Sequence, residues 1–269
     1  MIGYFLLGFL LLLSFGVGFF AAFTENKKIT YEKFCFGKGK RRVRIAHLSD
    51  LHFPRQAVDE KELLLALSRL EIDLVALTGD LFGRHDDFGT SGAEGFLCAL
   101  TAVAPVYYVR GNHERQNKKS PDLLQQIANT GVHVVEGRGE LFEKEGARVR
   151  ICGVYDLGEF VPAEQTNGQE GADFCLLLAH RPEKKRWRYY LPASGAPDLV
   201  LSGHAHGGQF RCFGRGFYAP GQGFFPKITA GVYRMSEKTS LLVSRGIGKS
   251  EIPFRFNNPP HVPIIDLNL

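Results

Sequence analysis

The chain has 269 residues, 44% hydrophobic and 23% charged, with 33 basic and 28 acidic side chains and a net charge of +5. That balance excludes a disordered chain and a multi-span membrane protein, and the length accommodates one large domain plus an appendage. The charge is local: residues 1–23 carry none, residues 24–44 hold eight basic and two acidic side chains, and the rest is near neutral, so a general nucleic-acid-binding surface is not indicated.

The first predicted element is the uncharged, mostly apolar run Ile2–Phe23. As a helix it would be about 33 Å long, enough to cross a ~30 Å hydrocarbon core. An uncleaved transmembrane anchor over residues 1–23 is expected, with a cleaved signal peptide or a buried core helix as alternatives. No basic residue precedes the run, and Phe20 breaks the small-x-small spacing before Ala22, which argues against cleavage. Residues 24–42 read as a basic juxtamembrane linker facing anionic headgroups or solvent. Its position places the body, residues 43–269, on the cytoplasmic side of a single-pass cell-membrane protein. The five dispersed cysteines (Cys35, Cys98, Cys152, Cys175, Cys212) fit no zinc or disulfide pattern and are expected as buried thiols in a reducing compartment.

From Val43 the chain alternates strand-like and helix-like segments. Residues 42–50 predict a strand, and Asp59–Leu70 an amphipathic helix with Leu63, Leu64, Leu67 and Leu70 on one face. A strand before Asp80, a helix over Ala93–Ala104 and a strand before Arg110 follow. The next helix opens at Ser120-Pro121 and ends near Gly131. Further strands are predicted at 132–135, 148–154 and 174–179, a short basic helix or loop at 182–190, and a strand before Gly203. Phe- and Gly-rich hairpins follow over 213–248, with a last strand at 262–267. The class is α/β with more than one sheet.

Five of these segments share one grammar, an apolar run ending in polar residues able to bind metal. They are Ser49-Asp50-Leu51-His52, Thr78-Gly79-Asp80, Arg110-Gly111-Asn112-His113-Glu114, Leu178-Ala179-His180 and Ser202-Gly203-His204-Ala205-His206. Sites in open α/β sheets form beyond the carboxyl ends of strands, where such loops converge. Asp, Asn and His without thiolate suit Mn, Fe or Zn. Two such cations ~3.5–4 Å apart can clamp a phosphoryl group and activate water for in-line attack.

Together these residues resemble the calcineurin-like metallophosphoesterase superfamily over about residues 43–269. SGHAHGGQF and the tail SRGIGKSEIPFRFNNPP are similar to its membrane-anchored bacterial phosphodiesterases, a branch that includes UDP-2,3-diacylglucosamine pyrophosphatases. The resemblance implies a four-layer αββα sandwich carrying the N-terminal transmembrane helix. It implies one divalent metal held by Asp50, His52, Asp80 and His206 and a second by Asp80, Asn112, His180 and His204. Asp80 would bridge them, and His113 would protonate the leaving group. The expected activity is hydrolysis of a phosphodiester or pyrophosphate bond, with a lipid-linked substrate favoured by the tether. Soluble diesters such as cyclic nucleotides, a nuclease, and a non-catalytic metal-bound scaffold are the alternatives.

The sequence departs from the family at Gly83, where relatives often carry an acid that orients the catalytic His. Either Asp86 or Asp87 substitutes, or His113 lacks that support as proton donor. Outside the motifs, Arg110 reads either as a phosphate contact or as half of a structural ion pair, and His47 as a core or supporting residue. His85 reads as a surface residue with a substrate role as the alternative. The basic run from Arg181 to Arg188 would attract anions or form a solvated face with Trp187 inward. The stretch Phe213–Phe225 would form either a hairpin packed on the sandwich or an apolar lip for an acyl chain.

Overall fold

The structure is a computed structural model that describes residues 2–24, 28–120, 122–154, 171–191, 196–249 and 254–269; the side chains of residues 2 and 20–24 lie outside the described set. In chain order the elements are α1 (Ile2–Thr24), β1 (Thr30–Gly37), β2 (Arg42–Leu48), α2 (Glu60–Arg69), β3 (Leu74–Leu77), α3 (Ala93–Thr101), β4 (Val106–Tyr108), α4 (Asn112–Gln116), α5 (Leu123–Asn129), β5 (His133–Val134), β6 (Gly139–Lys144), β7 (Ala147–Gly153), β8 (Phe174–Leu178), α6 (Trp187–Tyr190), β9 (Leu199–Ser202), β10 (Arg211–Cys212), β11 (Arg215–Gly216), β12 (Tyr218–Ala219), β13 (Gly223–Phe224), β14 (Gly231–Arg234), β15 (Ser240–Val243) and β16 (His261–Asn268).

Two six-stranded mixed sheets form the body, in the orders β1-β16-β2-β3-β4-β5 and β14-β15-β9-β8-β7-β6. The parallel runs are β2 to β5 in the first and β7, β8, β9, β15 in the second. Strands such as LVAL and LVLS are buried at every position, as expected where both faces of a parallel sheet are covered. Between the sheets, Ile45, Leu74 and Ala76 meet Val149, Leu176 and Leu201. On the outer face of the first sheet, Leu63 and Leu67 of α2 and Phe96, Leu97 and Leu100 of α3 pack against Leu48, Val75 and Tyr108. Asp59 starts α2 by accepting a hydrogen bond from the Glu62 N–H at 3.0 Å. The outer face of the second sheet is covered by Tyr190 of α6 and by Ala219 and Ile228 of the hairpin region. The expected αββα layering therefore has a thin fourth layer, made of a one-turn helix and hairpins.

Several expectations need correction. The linker predicted over 24–42 contains β1, paired parallel with β16 along its whole length. Phe34 and Phe36 alternate inward against the inter-sheet core while Glu32, Lys33 and Cys35 face out. The edge strand β6 was also not predicted, for the same reason. Helix α5 is preceded by Asp122 rather than capped by Ser120. Ser120 Oγ instead accepts from the Phe88 N–H at 3.2 Å, and Pro121 lies outside the described residues. All five cysteines are thiols, but only Cys152 and Cys175 are buried; Cys35, Cys98 and Cys212 are exposed. Counted over residues with described side chains, which in α1 end at Phe19, no helix is long and apolar enough to cross a membrane. Within that stretch of α1 the large apolar side chains, among them Phe5, Phe9 and Phe15, are exposed.

Candidate metal centre

All five motif loops leave the carboxyl ends of parallel strands: Asp50 and His52 follow β2, Asp80 follows β3, Asn112 and His113 follow β4, His180 follows β8, and His204 and His206 follow β9. The chain turns sharply at each. Asp50, His52, Asp80, His204 and His206 all have positive φ, between 46° and 64°. Non-glycine residues in this region cost on the order of 1–3 kcal/mol each and persist only where their surroundings fix them. Here the loops fix one another. Asp50 N–H donates to Gly79 O, His52 N–H to Asp80 O and Gly203 N–H to His180 O, each at 3.0 Å. Two glycines permit the approach: a Cβ on Gly111 would lie 2.2 Å from Asp80 Oδ1, and one on Gly203 would lie 1.8 Å from Ser49 Oγ.

One half of the centre surrounds His180. Its Nδ1 is 2.8 Å from the Thr78 carbonyl oxygen, so Nδ1 carries the proton and donates. That leaves an Nε2 lone pair, which faces Asp80 Oδ2 at 3.3 Å, Asn112 Oδ1 at 3.1 Å and His204 Nδ1 at 3.1 Å. Three acceptor atoms from three loops, His180 Nε2, Asp80 Oδ2 and Asn112 Oδ1, thus converge in a buried space, with His204 beside them and its Nε2 accepting from Arg181 Nη1 at 2.9 Å. Lone pairs crowded in this way repel one another unless a cation sits among them. The other half repeats the pattern. His52 Nε2 lies 3.3 Å from His206 Nε2, which is 3.6 Å from Asp50 Oδ1. Ligand-capable atoms of Asp50, His52 and His206 all fall within 4.8 Å of one another, as do those of Asp80, His180 and His204 and those of His52, Asp80 and His113. Asp80 belongs to two of these groups and sits between the halves. The donor set therefore fits two oxygen- and nitrogen-ligated divalent cations.

The electrostatics agree with that fit. Burial pushes Asp50 up to about 6, with the Asp80 carboxylate adding to the rise. Burial drives His52 down to about 3 and holds His204 and His206 well below the ordinary histidine range, so these rings are neutral. Burial also works against the Asp80 carboxylate, but His180, His113 and His52 outweigh it and keep the group well below the usual range. Neutral imidazoles and ionised carboxylates are the protonation states that bind metals.

The structure brings together every residue expected to ligate: Asp50, His52, Asp80, Asn112, His180, His204 and His206, all buried. His113 joins them. Its backbone N–H donates to Asp80 Oδ1 at 2.8 Å, its Nε2 lies 3.9 Å from Asp80 Oδ2, and its ring meets His52 edge-on at 4.6 Å. Arg110 is placed differently, in a bidentate ion pair with Glu136 at 2.8–2.9 Å, which favours its structural reading. Asp86 pairs with Arg55 at 3.2 Å and Asp87 accepts from the Thr90 N–H at 3.1 Å. His47 is buried against Thr78 Oγ1 at 2.8 Å, a supporting position as expected.

Three supporting residues were not assigned from sequence. Glu114 Oε2 accepts from the Asp80 and Gly111 N–H groups at 2.9 and 2.8 Å, and Oε1 accepts from the Leu81 N–H. Burial and Asp80 push its acid up to about 7. Its third-residue position in a helix opening at Gly111 is capping-box spacing, a signal present in the sequence. Glu183, also buried, puts Oε1 3.7 Å from His204 Nε2 and 3.6 Å from Arg181 Nη1. Arg255 Nη2 lies 3.2 Å from His206 Nδ1 and donates to the Gly248 and Arg245 carbonyls at 2.8 and 2.9 Å. Neither of these two has a local sequence signature.

Comparison with known proteins is consistent with this centre. The family model for calcineurin-like phosphoesterases matches residues 43–208. A Helicobacter pylori protein described as an uncharacterized metallophosphoesterase is 29% identical over 247 residues, covering 84% of this chain and 60% of that protein. This chain thus spans less than two thirds of that relative. The Escherichia coli phosphodiesterase YaeI is 26% identical over 235 residues, covering 83% of this chain and 82% of YaeI. The NAD nucleotidase NadN of Haemophilus influenzae shares the fold, with a TM-score of 0.53 at 14% identity over 79% of this chain and 46% of NadN. The family match spans more than half of the chain and includes every clustered residue from Asp50 to His206, so the chain belongs to the calcineurin-like phosphoesterases, metal-dependent hydrolases that use two divalent cations.

Proposed function

We propose that this chain is a membrane-anchored phosphodiesterase in which Asp50, His52, Asp80 and His206 hold one cation and Asp80, Asn112, His180 and His204 the other. The observation that carries this reading is the proton on His180 Nδ1, which leaves its Nε2 lone pair facing Asp80 Oδ2 and Asn112 Oδ1, three acceptors from three loops in a buried space beside His204. Cations held there would neutralise phosphoryl oxygens and lower the pKa of an attacking water. The chain's own residues supply the rest. His113, fixed through its N–H on Asp80 and its edge contact with His52, delivers a proton to the leaving oxygen. Its Nε2 lies 3.9 Å from Asp80 Oδ2. Glu114 holds the turn at Asp80 through three backbone N–H groups.

The substrate proposed is a phosphodiester or pyrophosphate carried by a lipid, UDP-2,3-diacylglucosamine being representative. The apolar, uncharged α1 supports this, as a tether into the bilayer with the body on the cytoplasmic side. The name of YaeI supports diester rather than monoester chemistry. The test uses the full chain in detergent with Mn²⁺, an aryl phosphodiester, an aryl monoester and UDP-diacylglucosamine. The expected result is diester turnover that is lost in Asp80→Ala. Two bound cations with no ester cleaved would overturn the enzyme reading. Cleavage of soluble diesters alone would overturn the lipid assignment.

A further inference from the structure

The hairpins after His206 show an arrangement that packing does not explain. Phe213 is 99% exposed, Phe225 75% and Phe224 66%. Phe213 is at the tip of the β10–β11 hairpin with φ +48°, followed by Gly214 at +78°, and Phe225 has φ +52°. Such turns favour Asn, Asp or Gly, and a bulky side chain at positive φ is an outlier. These positions therefore present large apolar rings to solvent from the backbone conformation that least suits them. Beside them lies an open groove of about 580 Å³ walled by Phe210, Phe217, Phe225 and Phe256, with Arg211 and Arg215 at its edges.

Two further observations identify the occupant. The groove is continuous with α1, because the ring of Phe19 lies 6.2 Å from that of Phe256. The apolar helix and the apolar hairpins thus form one surface. Second, residues 199–236 contain Arg211, Arg215, Lys227 and Arg234 and no acidic residue. Aromatic rings flanked by cations complement an anionic bilayer, with rings below the headgroups and cations among them.

We infer that the hairpins of residues 210–225 are a bilayer-docking face. Phe213, Phe224 and Phe225 enter the acyl boundary of an anionic membrane, and Arg215 and Lys227 meet its phosphates. The inference rests on the membrane-anchored reading above and adds an orientation to it. Phe210 follows His206 by four residues, at most about 14 Å of extended chain, and Arg211 Nη1 ties the hairpin to Gly207 O at 2.7 Å. Docking this face therefore sets the metal loop against the lipid surface, where a phosphate in the headgroup layer is within reach.

The test uses the single tryptophan, Trp187. Full-length protein carrying Trp187→Phe and Phe224→Trp is reconstituted into phosphatidylglycerol–phosphatidylcholine vesicles, with or without lipids brominated high in the acyl chain. A parallel Trp187→Phe, Phe9→Trp protein reports on α1. Docking predicts blue-shifted emission from the indole at position 224, quenched by brominated lipid and protected from aqueous iodide. Water-like emission quenched by iodide overturns the docking face, as does blue-shifted emission insensitive to bromine, which would mean that α1 or a second copy covers the hairpin. The reporter at position 9 decides the anchor separately. Quenching there without quenching at 224 leaves the anchor standing and removes the docking face; no quenching at either removes both.

Discussion

Replacing Glu114 by Gln tests whether the metal loop is held by a carboxylate rather than by shape. Glu114 is buried, and its oxygens accept from Asp80, Gly111 and Leu81, with Phe82 N–H further off at 3.4 Å. A carboxylate has two accepting oxygens, whereas an amide has one. The glutamine oxygen can keep Asp80 and Gly111, but its NH₂ then faces the Leu81 N–H, donor against donor. One buried unsatisfied N–H costs about 1–3 kcal/mol. For a body of this size that is a melting-temperature loss of roughly 2–12 °C, at ~2–4 °C per kcal/mol. The damage falls on the turn that aims Asp80 at both halves of the centre. Loss of such an outer contact typically costs ~10–100-fold in metal affinity. Calorimetric melting with and without Mn²⁺, together with titration of the cation, measures both effects. A Glu114→Gln protein that melts with the wild type and binds Mn²⁺ equally well would refute the argument.

Three other perturbations separate the remaining roles. His113→Ala should lower kcat by ~10²–10⁴-fold on a diester with an alkoxide leaving group and by much less on a nitrophenyl ester, which needs no proton; equal losses on both would contradict the acid role. Glu183→Gln should weaken the His204 half of the centre by ~10–100-fold in cation affinity, seen as a shift of one of two binding steps with the other unchanged. The Arg44 guanidinium, then Lys33, hold Asp266 down at about 2 against an ordinary 3.8, outweighing burial. The folded state thus binds fewer protons here, and the stabilisation is present above pH about 4 and lost as pH falls through about 2. Asp266→Asn should lower stability at neutral pH and converge on wild type near pH 2 in urea unfolding curves.

The sequence showed the ligands because each follows a strand that is mostly apolar. Strands β3, β4, β8 and β9 are buried almost throughout, so their ends are marked by polar residues, and in β2 the buried run from Ile45 to Leu48 does the same. The edge strands lack that contrast. In β1 the inward Phe34 and Phe36 are masked by Glu32 and Lys33, and the basic composition of the segment reads as linker. Arg110 was ambiguous because its partner, Glu136, comes from the segment after β5, and pairing across strands is set by sheet order rather than by spacing. Glu183 and Arg255 were invisible for the same reason: each meets its histidine through the fold.

The positive-φ ligands connect fold and centre. Asp50 and His52 sit in a turn whose N–H groups bond the carbonyls of Gly79 and Asp80 on the next strand. His204 is tied across to the first sheet by its N–H donating to Asp50 Oδ2 at 3.0 Å. Neither loop has its conformation alone, since an isolated chain would relax Asp50 and His204 out of the left-handed region. The two sheets must first stack through Ile45, Leu74, Leu176 and Leu201, which brings their parallel strand ends to one rim. The energy that holds five side chains in a disfavoured backbone state therefore comes from the inter-sheet core. Truncating Leu176 or Leu201 there should loosen the centre without touching a ligand, and it should do so more than truncating Leu67, which packs on the far side of the first sheet. Cation affinity measured in conservative pairs such as Leu176→Val and Leu67→Val, compared at matched loss of stability, distinguishes a centre imposed by the sheet stack from one the loops could build alone.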